Sequence, residues 1–187
     1  MTFQEIQSNL TSYQGLIFLA LQEGITNNIP KIKWIDMEMS QLEDYGDAPG
    51  QNPRPPVLFP CVLIDFPRTN FAELGQQESW NELTLELRLA FAQFSNTSAI
   101  TPMEWKEKAL EYFEIESKII ALMDGFVTVV NNEPVHEPFS RMYVETERRQ
   151  FDTINMRVRR MVFTAAFMDN LARPKHISLK AALRAKL

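Results

Sequence analysis

Any chemistry in this 187-residue chain has to come from a short inventory of side chains. The two histidines are His136, in a proline-flanked turn, and His176, near the basic end. Neither has cysteine or acidic partners at ligand spacing, and a zinc site needs three or four ligands. The single cysteine, Cys61, excludes an internal disulfide framework and sits in an apolar stretch, where a thiol is generally inert. No glycine-rich phosphate loop, GxSxG elbow or HExxH helix is present. Carboxylates do occur in pairs: Glu145 with Glu147, Asp36 with Glu38, Glu82 with Glu86. Alternate residues of a strand share a face, and acid–base chemistry can use two carboxylates so placed. The arginines Arg141, Arg148, Arg149, Arg157, Arg159 and Arg160 are interleaved with Glu145 and Glu147. They could bind a phosphate, but pairing with those acids across a sheet or a subunit boundary is the more routine arrangement. The inventory points away from an enzyme, and no metal or cofactor is expected.

The element that must organise these residues is Trp80 to Phe94. Leu83, Leu85, Leu87, Leu89 and Phe91 alternate with Glu82, Thr84, Glu86, Arg88 and Ala90. A spacing of two puts the large apolar groups on one face of an extended strand and the charges on the other. Such a strand needs a sheet beside it and helices over its apolar face. Val57 to Phe66, nearly all apolar, reads as a strand covered on both faces, with a bulge or edge at Pro60 and an end at Pro67. It should pair antiparallel with the leucine-rich strand. Phe139 to Arg149 reads as extended, and Ile154 to Met168 as a second long strand. On that strand Arg157 and Arg159 share a face with Met161, Phe163, Ala165 and Phe167, so its first half is expected to be exposed or to face a partner.

Two helices are expected. Thr2 and Glu5 form a capping box ahead of a stripe of Phe3, Ile6, Leu10, Tyr13, Ile17, Ala20 and Leu21, with Gly24 as terminator. Pro30 bars continuation, and a modest strand follows within residues 29–42. Thr101-Pro-Met-Glu104 is a second capping box. Behind it Trp105, Ala109, Tyr112, Phe113, Ile119, Ile120 and Met123 make a wide stripe closed by Gly125. Phe126 to Val130 is a short strand or loop, and residues 131–138 are turn material. Residues 44–56 hold four prolines and two glycines, which forbids regular structure and suggests a projecting arm. The expected architecture is α+β: an antiparallel-rich mixed sheet with two main helices, a long arm and a C-terminal extension. One domain covers residues 1–169, and 170–187 form a basic tail.

Charge is divided unevenly. After Asp169 there are five basic residues and no acid, leaving 14 basic against 24 acidic residues before it. An acidic body disfavours sequence-specific DNA binding, and a basic tail fits docking on the acidic surface of a neighbouring copy. The apolar run Leu16 to Leu21 is too short to span a bilayer and lacks a basic leader, so neither a membrane anchor nor a signal peptide is expected.

Several phrases follow this order of elements. They are Phe59-Pro-Cys-Val-Leu-Ile-Asp-Phe-Pro67, Glu73-Leu-Gly-Gln-Gln77, Phe113-Glu-Ile-Glu-Ser-Lys-Ile, Ala121-Leu-Met-Asp-Gly-Phe126, Phe139-Ser-Arg-Met and Phe163-Thr-Ala-Ala-Phe-Met-Asp169. Through them, residues 3–169 resemble phage and prophage tail-completion proteins of the tail-terminator type. The resemblance implies a hexameric ring that caps the tail tube, stops its polymerisation and joins the capsid connector. Implied partners are copies of the chain, the tail-tube protein and head–tail connector proteins, with DNA passing through the lumen unread. The implied location is the virion neck, after assembly in the host cytoplasm. Candidate interface residues are Arg141, Arg148, Arg149, Arg157 and Arg159, with Arg54 in the arm and Arg173, Lys175, Lys180 and Arg184 in the tail. The alternatives are another neck protein, of the joining or stopper kind, or a small enzyme using Glu145, Glu147 and the arginines on an anionic substrate.

Overall fold

The computed structural model describes residues 12–42, 57–73, 79–91, 98–130, 132–150 and 155–169. The first capping box, the arm with Arg54 and the tail with its four candidate residues lie outside them. Two helices and seven strands are described: α1 (Tyr13–Asn28), β1 (Trp34–Met37), β2 (Cys61–Glu73), β3 (Ser79–Phe91), α2 (Met103–Met123), β4 (Val129–Val130), β5 (Glu133–Pro134), β6 (Ser140–Gln150) and β7 (Asn155–Asp169). Five strands form a mixed sheet in the order β1-β2-β3-β7-β6, and β4 and β5 form a small hairpin. Only β1 and β2 run parallel; the other three pairings are antiparallel. This is the expected α+β class.

β3 is the central strand, paired along its whole length with β7 and, across a bulge, with β2. Leu83, Leu85, Leu87 and Leu89 all point into the core shared with the helices, and each contributes about 1.5–3 kcal/mol by burial. That core takes Ile17, Leu21 and Ile25 from α1, Ile115, Ile119 and Met123 from α2, and Met161, Phe163, Ala165 and Phe167 from β7. A smaller cluster lies on the opposite, or back, face: Leu42, Val57, Cys61, Leu63, Ala90, Met156 and Val158, with Trp34 and Phe59 packed on it. Apolar groups on both sides of β2 explain its unbroken hydrophobic run.

Three expectations about ends fail for identifiable reasons. α1 passes through Gly24 to Asn28. Glycine costs a helix about 1 kcal/mol, less than the roughly 1.5–3 kcal/mol from burying Ile25 one residue on. The Thr26 hydroxyl and Asn28 amide then donate to the carbonyls of Gln22 and Gly24. β2 continues past Pro67 to Glu73, because a register shift between Asp65 and Arg68 takes up the proline. β1 pairs only with residues 61–64, so Pro67 sits where β2 is an edge and a ladder donor can be spared. At α2 the second capping box does not form. Pro102 is the N-cap and lacks a side chain to cap with, while the Thr101 hydroxyl bonds Ser98. Gly125 does end α2, at φ +81, a conformation that favours glycine.

Candidate functional site

The arginine–carboxylate cluster is divided by the sheet. On the back face an ion-paired belt crosses three strands. Glu86 of β3 is 2% exposed and has both carboxylate oxygens engaged, one by Arg88 Nε at 2.9 Å and the other by Arg160 of β7 at 2.6 Å. Arg160 reaches on to Glu145 of β6 at 2.7 Å, and Arg88 to Glu38 at 3.3 Å. The register sets this up, since Arg88, Arg160 and Glu145 are direct cross-strand neighbours. Burial pushes the Glu86 carboxyl pKa up, but hydrogen bonds from Arg160 and Arg88 outweigh it and the net shift is downward. The Arg160 guanidinium is correspondingly raised, through Glu86 and then Glu145. Nearby, Glu82 accepts hydrogen bonds from Thr164 at 2.8 Å and Asn70 at 3.2 Å, which lower its pKa. With both oxygens of Glu86 and one of Glu145 in ion pairs, an acid–base role would first have to break them.

On the helix face Arg159 meets Glu116 of α2 through a two-pronged contact, Nε at 2.9 Å and the second nitrogen at 2.6 Å, while its third nitrogen bonds Thr146. Arg157 lies 4.2 Å from the Tyr112 ring centre and 5.7 Å from that of Phe113, close enough for cation–π attraction. On this face the first half of β7 is thus not bare: α2 meets both of its arginines. Arg141 is exposed on β6, and Arg148 and Arg149 continue that strand opposite Arg157 and Met156. Of the participants, the sequence marked Glu86 only as half of a carboxylate pair with Glu82, and it did not single out Glu116. Glu116 was legible in part, since it falls four residues after Tyr112 and three before Ile119, on the core side of the helix.

His136 is buried beside the hairpin. Its Nε2 accepts the Thr128 backbone N–H at 3.1 Å, which leaves Nδ1 to donate to the Glu137 carbonyl at 2.6 Å. Burial lowers its pKa against the opposing pull of Glu137. Cys61 is fully buried, and burial pushes its thiol up to about 12. Among the described residues no three His, Cys, Asp or Glu side chains are grouped to hold a metal, and no helix is long and apolar enough to cross a membrane.

Two surfaces are left uncovered by the described residues. β6 is the outer strand of the sheet, eleven residues long, with Arg141, Met142 and Tyr143 exposed. The other edge is β1, four residues, where the Gln22 side chain already donates to the Ile35 carbonyl. The second surface is the front half of α2, whose apolar residues Met103, Trp105, Leu110 and Phe113 are all exposed. Compared with models of known families and with characterised proteins, the chain matches none.

Proposed function

We propose that the chain is a structural protein that closes with copies of itself into a ring, and that it does so in a phage tail or neck as a tail terminator. The observation that carries the reading is the pair of unlike open surfaces, the β6 edge and the front of α2. A ring built head-to-tail needs two different patches on each copy, since a single self-complementary patch stops at a dimer. Among the described residues β6 has no partner on its outer side, and exposed large apolar side chains such as those on the front of α2 are features that monomeric proteins normally cover. The phrases between Phe59 and Asp169 that resemble tail terminators supply the setting. The acidic composition ahead of the tail suits a channel wall, because like charge keeps DNA phosphates from sticking. The partners in this reading are the tail tube below, the connector above, and DNA that passes without being read.

Light scattering across a wide concentration range, combined with electron microscopy of particles carrying a labelled chain, tests the proposal. A closed oligomer, with label at the junction of head and tail, is the expected result. A monomer at every concentration, absent from particles and active on an anionic small molecule, would favour the enzyme instead.

A further inference from the structure

We infer that the loop from Phe126 to Phe139, with its β4–β5 hairpin, is a proton-operated latch: a proton taken up by His136 opens it while the five-stranded sheet stays folded. The base of the loop is closed by two backbone bonds. Phe139 N–H donates to the Phe126 carbonyl at 3.2 Å, and Gly125 N–H to the Phe139 carbonyl at 3.4 Å. Above the base the pairing is short, with one bond from Val135 N–H to the Thr128 carbonyl at 2.8 Å and the two residue pairs of β4 and β5. Between Val127 and Pro138 the only described residues that are buried are Thr128 and His136. The buried interior of the hairpin is therefore one polar pair, not an apolar cluster.

In that pair the imidazole replaces a backbone rung. The Thr128 N–H donates to Nε2 instead of to a carbonyl, and Nδ1 is committed as donor to the Glu137 carbonyl. A further proton can therefore go only to Nε2. Nε2 then becomes a donor facing the Thr128 N–H, and a buried amide is left without an acceptor. The Thr128 hydroxyl, 3.1 Å from Nε2, can turn to accept the new N–H, but no rotation restores an acceptor to the backbone. Opening brings both the imidazolium and the amide to water. Glu137 is the charged group that draws the proton in. Asp124 at the end of α2, Glu133 of β5 and Arg141 of β6 are solvent-exposed, and β7 meets the loop at the uncharged Ala166. Burial opposes the proton more strongly than Glu137 attracts it, so the closed latch favours the neutral ring and the open one the charged ring.

Hydrogen exchange of the full chain, followed amide by amide at about pH 7.5 and about pH 5 and corrected for the intrinsic effect of pH, tests the latch. With an ordinary imidazole pKa of ~6.5 in the open form, the Thr128 and Val135 amides should exchange up to about 30-fold faster at the lower pH. Low urea should leave their rates unchanged, because a local opening exposes little surface. Leu87 and Met161 in the sheet core should exchange more slowly and should quicken with urea. His136→Gln keeps an acceptor for the Thr128 N–H but cannot titrate, so acid should change exchange at these two amides by less than about 2-fold. Thr128 and Val135 amides no faster than that of Leu87 at the lower pH would mean that the hairpin leaves only with the whole fold. An equal acid response in His136→Gln would put the proton elsewhere. Either result overturns the inference. The wild-type chain gives a second reading that needs no variant: the Thr128 amide resonance should titrate with the His136 ring, and a ring that titrates without moving it counts against the latch.

Discussion

The two halves of α2 carry the same kind of apolar stripe and meet opposite fates. In the back half, Ile115, Ile119 and Met123 are buried against β3 and β7. In the front half, Trp105 falls on nearly the same helical line as Met123, eighteen residues or five turns earlier, yet is 58% exposed. The difference lies in what stands underneath. The back half has the leucines of β3 and Phe163 of β7 below it, and the contacts to Phe91 and Arg157 at Tyr112 mark the last described strand residues under the helix. An amphipathic pattern therefore specifies which side of a helix is apolar, but not whether the same chain supplies a surface to cover it.

The comparison can be broken from the back half first. Ile119→Ala should cost about 2–5 kcal/mol of folding stability by leaving a cavity in the main core, read as a lower urea midpoint with unchanged slope. Arg159→Ala should come next, at on the order of 3 kcal/mol, because it strands the Glu116 carboxylate, 10% exposed at its side chain, against the sheet. Replacing both, as Arg159→Met with Glu116→Leu, should recover most of that loss, and failure to do so would mean the pair is worth more than its desolvation cost. His136 probes the end of the back half, where its hairpin meets Phe139. Its folded pKa lies below the ordinary ~6.5, so the folded chain binds fewer protons than the unfolded one. Its contribution is complete above about pH 6.5 and is lost as pH falls below that. Stability should decline from about pH 7 to 5.5, and His136→Gln should flatten that slope. The front half gives the smallest effect on folding: Trp105→Ser should change monomer stability by no more than about 0.5 kcal/mol while reducing self-association.

What could be read from the residues follows the same division. Alternation in β3 was legible because burial on one face of a strand imposes a period of two. Pairing of arginines with acids across the sheet was legible in kind, since Arg88, Arg160 and Glu145 are strand residues of opposite sign. That Arg157 and Arg159 lie under α2 was not, because it depends on how a helix more than thirty residues away in sequence crosses β7. Glu86 was legible as half of a carboxylate pair with Glu82, solvated or paired across strands, but not as a buried acid. Arg88, Arg160 and the register between β3 and β7 make it buried, and register is a property of two strands rather than one. Gly24 and Pro67 misled for a common reason: each breaks its element locally by about the amount that neighbouring burial or a bulge can offset.

The central claim is that these surfaces bring copies of the chain together around a closed ring. Sedimentation of the wild-type chain beside Trp105→Ser with Leu110→Ser, over a hundredfold range of concentration, tests it most directly. The account predicts a single closed oligomer of several copies for the wild type and a folded monomer for the variant. A wild-type chain that stays monomeric throughout, or a variant that assembles as well as the wild type, would contradict it.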